Sequence, residues 1–125
     1  MLTLEDGSEV DLIPDNYTGS LTSEYGTKAW YHNGKFHRID GPAVIFYDGA
    51  KYWHKHGKRH RIDGPAMLLD MGENRWYFND MLHRTNGPAI ENKGIKDYFI
   101  CNVKIHKLSK VLLLLLLLPL TVEDD

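Results

Sequence analysis

The sequence predicts an all-β fold, a single elongated antiparallel β-meander of repeated hairpins. Three observations predict it. His37, His60, His83 and His106 stand 23 residues apart, and Trp30, Trp53 and Trp76 keep the same step, with Phe99 in the fourth slot. The tripeptide Gly-Pro-Ala recurs in that register at Gly41-Pro42-Ala43, Gly64-Pro65-Ala66 and Gly87-Pro88-Ala89. Each unit also holds two turn signals separated by short aromatic and β-branched stretches, which makes two strands per unit. A constant period in this range is the mark of a repeat architecture. Repeated units build surfaces more readily than single catalytic constellations. No nucleotide loop, nucleophile motif or paired-carboxylate arrangement appears, so no enzyme is expected.

The elements follow in order along one domain of 125 residues. Residues 1–25 form an N-terminal cap. Within it, residues 2–13 alternate apolar and polar positions around Asp6-Gly7 and end at Pro14. That is a hairpin fit to cover a sheet edge, with its acids discouraging other chains. Repeats fill residues 26–108: three full units at 30–43, 53–66 and 76–89, then a decayed unit running through Phe99, Asn102, Lys104, His106 and Leu108. Asn33-Gly34 is the strongest short hairpin signal, because a type I′ turn needs positive φ at both central residues. His56-Gly57 and Asn79-Asp80 hold the same slot, while Asp48-Gly49, Met71-Gly72 and Lys93-Gly94 mark the second turn of each unit.

Strand alternation puts Trp30, Trp53, Trp76 and Phe99 on one face and Tyr31, His54, Tyr77 and Ile100 on the other. The Trp ladder is expected to be core. Proline cannot donate to a ladder, so Asp-Gly-Pro marks a bend or bulge. The last segment, 109–125, is a Leu-rich cap with an acidic tail. Its run of eight apolar residues, 111–118, is too short to cross a bilayer, which takes about twenty. Ser109 as N-cap and Pro119 as stop favour a short helix over the end of the sheet. A last strand, with Leu112 in the register of Ala89, is a second reading of the segment, and a dimer contact is a third for so apolar a patch.

Charge is unevenly placed. Residues 1–25 carry six acids and no base, whereas residues 26–110 hold all fifteen Lys and Arg against eight acids. A single cysteine, Cys101, excludes an internal disulfide and a Cys-based metal site. With no signal peptide in the acidic N-terminus, the expected compartment is the cytoplasm.

The units, Trp-Tyr-x-Asn-Gly-Lys-x-His-Arg-x-Asp-Gly-Pro-Ala in their first copy, resemble the MORN repeats. The closer resemblance is to the MORN-variant repeats of bacterial and phage proteins. It covers residues 26–108 and rests on the aromatic pair, the Asn-Gly turn and the following His. The common MORN unit follows its His with Gly, whereas this chain has His37-Arg38, His60-Arg61 and His83-Arg84. The wider family's lipid-headgroup role is therefore not carried over. The resemblance implies a non-catalytic binding module. It extends to variants labelled antitoxin, which would bind and silence a partner protein in the bacterial or host cytoplasm.

The expected partner-binding residues are Arg38, Arg61 and Arg84, an exposed comb at regular spacing, together with His37, His60 and His83. Arg is over-represented at interface hot spots. Asp40 and Asp63 are expected to accept turn N–H groups and hold the bends. No cofactor and no metal is expected. Equivalent histidines two strands apart lie about 10 Å from each other, too far to share an ion. The local group His54, His56 and His60 reads as a set of partly exposed imidazoles. The alternative function is nucleic-acid binding through the basic and aromatic stretch 51–61, with Lys55, Lys58 and Arg59 on the phosphates.

Overall fold

A computed structural model of the chain describes residues 1–106. The expectations for residues 109–125, a covering helix, a last strand or a dimer contact, lie outside the described residues. Among the described residues there is no helix, and no segment is a helix long and apolar enough to cross a membrane.

The cap consists of β1 (Leu2–Leu4), β2 (Glu9–Val10) and β3 (Gly19–Ser23). The first unit has β4 (Lys28–His32), β5 (Lys35–Phe36) and β6 (Val44–Ile45), and the second β7 (Lys51–Tyr52), β8 (His54–Lys55), β9 (Lys58–Arg59) and β10 (Met67–Leu68). The third has β11 (Asn74–Arg75), β12 (Tyr77–Phe78), β13 (Met81–Leu82) and β14 (Ile90–Asn92), and the fourth β15 (Ile95–Ile100) and β16 (Val103–Ile105). A 12-stranded antiparallel sheet runs in the order β16-β15-β14-β11-β10-β7-β6-β4-β3-β1-β2, with β5 pairing β4 beside it. The pairs β8-β9 and β12-β13 form separate two-stranded ribbons.

This is the expected meander with one added feature. Each unit's strand changes partner at its tryptophan. Trp30, Trp53 and Trp76 donate their backbone N–H to Ala43, Ala66 and Ala89, each at 2.7 Å. Their carbonyls accept from His37, His60 and His83 at 3.0, 3.1 and 3.1 Å. In the second and third units, residues before the Trp therefore belong to the long sheet and residues after it to a side hairpin, whereas in the first Tyr31 still pairs with Gly19 of β3. Successive side hairpins are joined by backbone bonds that recur in each unit: Gly57 N–H to the Phe36 carbonyl, Asp80 N–H to Arg59, and Asn102 N–H to Leu82, all 2.9 Å, with Arg38, Arg61 and Arg84 N–H reaching the carbonyls of His54, Tyr77 and Phe99 at 3.3, 3.2 and 3.2 Å.

The turn chemistry holds as read. Both central residues have positive φ in Asn33-Gly34 (48° and 77°), His56-Gly57 (49° and 82°) and Asn79-Asp80 (45° and 68°). Cys101-Asn102 makes the fourth such turn, at 47° and 70°. The Asp-Gly turns differ. In 46–50 the Phe46 N–H reaches the Ala50 carbonyl at 2.9 Å, enclosing three residues with only Gly49 at positive φ. The cap turn at Gly7 and the turn at Gly72 repeat this pattern.

The hairpin of β14 and β15 encloses only Lys93 and Gly94, since Asn92 pairs with Ile95. One residue is missing, and the register of the fourth unit shifts. Phe78 faces Met81 across the third side turn, and Ile100 faces Val103 across the fourth, a step of 22 residues. Tyr98 thus takes the Trp slot, Phe99 the Tyr77 slot and Ile105 the His slot. The sequence alignment of Phe99 with Trp30, Ile100 with Tyr77 and His106 with His37 is corrected accordingly.

The core also lies on the opposite face from the one expected. Leu21, Ala29 and Val44 are buried and packed by Leu2, Leu4, Tyr17, Tyr31, Phe36, Phe46 and Tyr52. The slot after the Trp is the interior one: His54 and Tyr77 are buried, whereas Trp30, Trp53 and Trp76 are only half-buried. The alternation was read correctly, but the largest side chain does not mark the core. The inner face is closed by the side hairpins folding back, as in the Tyr31–Phe36 and Phe36–His54 ring contacts at 4.9 and 5.2 Å.

Lys93 occupies the first position of a type I′ turn at φ 45° with an exposed side chain. Asn suits that conformation better. Lys93→Asn is therefore expected to stabilise the chain by about 0.5–1 kcal/mol in urea melts. A loss of stability would contradict the turn assignment.

Candidate functional site

The bend after each His is built from the Arg that follows it. The Arg38 guanidinium lies 3.7 Å from the Trp30 ring centre, Arg61 3.9 Å from Trp53, and Arg84 4.0 Å from Trp76. Nε of Arg38 donates to Asp40 Oδ1 at 3.2 Å and Nη1 to the Pro42 carbonyl at 3.2 Å. Arg61 repeats this on Asp63 at 3.2 Å and Pro65 at 3.1 Å. Arg84 does so on Asn86 at 3.1 Å and Pro88 at 3.2 Å.

The glycine explains itself in the same geometry. A Cβ on Gly41, Gly64 or Gly87 would stand 3.1, 2.6 or 2.7 Å from the Arg Cζ of its own loop. None of these three glycines needs positive φ; they are small so that a guanidinium can lie against the backbone. The segment His-Arg-x-Asp-Gly-Pro-Ala is thus one device. Trp is one wall, Gly the other, and the Asp and the Pro carbonyl hold the edges.

This revises the expected comb. Arg38 and Arg61 are only a quarter exposed, at 25% and 24% of the side chain, while Asp40 and Asp63 are 85% and 87% exposed. The bond seen at each Asp comes from the Arg, not from a turn N–H. Charge is unnecessary for that role, since Asn86 accepts from Arg84 equally well.

The histidines are latches between units. His37 Nδ1 accepts the His56 N–H at 2.9 Å, His60 Nδ1 the Asn79 N–H at 3.0 Å, and His83 Nδ1 the Cys101 N–H at 3.1 Å. Each tethers its unit to the side turn of the next. An accepting Nδ1 must be unprotonated. Burial holds the His37 imidazole below its ordinary range, with His56, His32 and Lys55 acting in the same direction, and burial alone does so for His83. His37 stacks on His56 at 4.4 Å and tilts toward His32 at 5.6 Å.

The group His54, His56 and His60 separates: His54 and His60 are buried and His56 is exposed. Burial is also the main cause that lowers the His54 pKa; Asp80 opposes it and Arg59 adds to it. Among the described residues no three His, Cys, Asp or Glu side chains gather as a metal ion requires.

The basic stretch 51–61 is dispersed by the fold. Trp53 is covered by Arg61, Tyr52 packs on the core, and Arg59 stacks 4.1 Å from Tyr77 while its Nε donates to Asp80 Oδ1 at 2.9 Å. Lys55 and Lys58 face each other across the β8-β9 ribbon. Arg61 thus already occupies one face of Trp53, the aromatic ring in this stretch best suited to stack on a base.

Sequence reasoning missed the residue between Arg and Asp. Ile39 is 88% and Ile62 54% exposed. Both line a groove of about 900 Å³ between the first two loops, with Arg38, Asp40, Trp53 and Arg61 among its other walls. The signal was present as an apolar residue inside a polar, bend-forming segment. No family model, curated protein or solved structure matches the chain.

Removing Arg61 uncovers Trp53 and leaves the Pro65 carbonyl without its donor. Arg61→Ala is expected to cost about 1–3 kcal/mol in urea melts. Arg61→Lys should recover less than half of that, because a lysine lacks the planar fork. A melt unchanged by the Ala substitution would remove the sandwich from the account.

The latches predict acid sensitivity. The folded chain keeps His37 and His83 neutral and so binds fewer protons than the unfolded chain. Stability is therefore full above the ordinary pKa near 6.5 and falls as the pH drops below it. Urea midpoints between pH 7.5 and 5 should show this decline, and a His37→Gln, His83→Gln chain should show a flatter one. An equal slope in both chains would rule the latches out as its source.

Proposed function

We propose that this chain is a non-catalytic protein-binding repeat module. It acts as an inhibitor or antitoxin-like protein, of bacterial or phage origin, that silences a partner by occupying it in the cytoplasm. The observation that carries this reading is the row of three braced loops, 38–42, 61–65 and 84–88. Each is held by the same Trp, Arg and Pro contacts, and two of them carry an exposed isoleucine. Rigid loops lose little conformational entropy on binding, which is what a recognition surface needs. The resemblance of the unit to the MORN-variant repeats supports the same reading, and a lone cysteine accords with the reducing compartment proposed.

Arg38, Arg61 and Arg84 serve the surface as its frame, and His37, His60 and His83 keep the loops in line. Substituting them would confuse lost binding with lost fold, so the surface is tested through Ile62. The tagged chain, incubated with nuclease-treated bacterial lysate, is expected to retain a defined protein in stoichiometric amount. Ile62→Arg should abolish that capture while leaving the melting temperature within about 2 °C, as for an exposed substitution. Captured material that disappears with nuclease, or capture indifferent to Ile62→Arg, would reject the reading.

A further inference from the structure

We infer that the groove between loops 38–42 and 61–65 is a docking surface for an extended acidic segment of the partner protein. This inference rests on the protein-binding reading and names the chemistry of what the groove takes.

The third loop provides an internal control. Thr85 and Asn86 stand there in place of the isoleucine and the aspartate. Arg84 nonetheless stacks on Trp76 at 4.0 Å and bonds Asn86 and the Pro88 carbonyl at 3.1 and 3.2 Å. The loop forms without the isoleucine. Ile39 and Ile62 are therefore not required by the bend, yet they hold apolar surface in water on the rim of one groove. Apolar side chains that the fold does not use, placed around a concavity, mark a contact surface.

The charge chemistry comes from the two guanidinium groups in the same groove. Each has one face on an indole and the other on a glycine, with Nε and one Nη1 bond already directed inward. The two side chains remain a quarter exposed, and three of the five N–H groups on each guanidinium are not used by those bonds. A guanidinium fork matches a carboxylate, and holding it rigid lessens the entropy lost on pairing. Successive loops are two strands apart, about 10 Å, and three residues of extended chain span about the same distance. An extended segment in the polyproline II conformation, with three residues per turn and about 3.1 Å rise, returns every third side chain to one face, so carboxylates at every third position meet Arg38 and Arg61 together and an apolar side chain beside them rests on Ile39 and Ile62.

The surrounding charge agrees: fifteen Lys and Arg stand against eight acids over residues 26–110. Nucleic acid fits this groove less well, because one face of Trp30 and of Trp53 is already taken by an Arg and so lost to base stacking. Asp40 and Asp63 oppose an anionic ligand and moderate its affinity. This gives the inference a sign that a basic ligand would reverse.

The test is fluorescence anisotropy on the full chain with a labelled nine-residue peptide repeating Glu-Val-Thr. Its controls are the same peptide with Lys for Glu and a single-stranded oligonucleotide of nine bases. Saturable binding of the acidic peptide is expected, with at least about tenfold weaker binding of the Lys peptide. Ile39→Thr with Ile62→Thr, copying the third loop, should weaken binding about fivefold or more without altering the melt. Asp40→Asn with Asp63→Asn, also copying the third loop, should tighten it by removing like charge. Absent binding, equal binding of the Lys peptide or the oligonucleotide, or weakening by the Asn substitutions would overturn the inference. So would indifference to the Thr substitutions. If the peptide fails while Ile62→Arg still releases the captured protein, the acidic chemistry is wrong and the protein-binding reading stands.

Discussion

Every bend in the repeat depends on a guanidinium held between an indole and a glycine. The bend must turn the chain out of a side hairpin and back into the long sheet within a few residues, past a proline that cannot donate a ladder bond. Arg38, Arg61 and Arg84 meet that need by lying flat on Trp30, Trp53 and Trp76 and giving a hydrogen bond to the proline's own carbonyl. The stack occupies the half-buried face of the sheet. Cation–π attraction strengthens as water is excluded. It also covers the aromatic surface that would otherwise be the most exposed of each unit.

The histidines extend this local order along the chain. Within a unit, His37, His60 and His83 bond the Trp carbonyl through their backbone N–H. Across units, their Nδ1 atoms hold the next side turn. One residue thus joins the pivot of its own unit to the turn of its neighbour. Stability in a quasi-one-dimensional array is largely such nearest-neighbour coupling. The latch accepts from a bare N–H, so residue identity at the receiving turn is free. His56, Asn79 and Cys101 serve equally.

The braced loops leave room for variation where nothing structural depends on it. The position after each Arg is Ile39, Ile62 or Thr85, and the acceptor two after it is Asp40, Asp63 or Asn86. Frame residues are spent on the bend, and recognition falls to the residues between them. That division separates the expected comb from the surface proposed above. The arginines are the most conspicuous side chains in the repeat, yet each commits its Nε and an Nη1 bond to its own loop.

The repeat, its turns and its antiparallel class were legible in the sequence because each rests on local chemistry. Asn33-Gly34 demands a type I′ turn, a 23-residue period demands stacked units, and Asp-Gly-Pro demands a bend. The two faces of the strand were also legible, since alternation follows from the backbone. Which face is the interior was not. That depends on the side hairpins folding back over Tyr31, His54 and Tyr77, a tertiary event that leaves the larger Trp outside to meet its Arg. The shift in the fourth unit was hidden for a similar reason. A two-residue turn at Lys93-Gly94 moves the ladder by one, although the spacing of His106 still looks regular. Local sequence determined the kind of unit and the geometry of its turns. Only the packing of one unit on the next decided what is core, which arginine edges remain, and that Ile39 and Ile62 come to rim one groove.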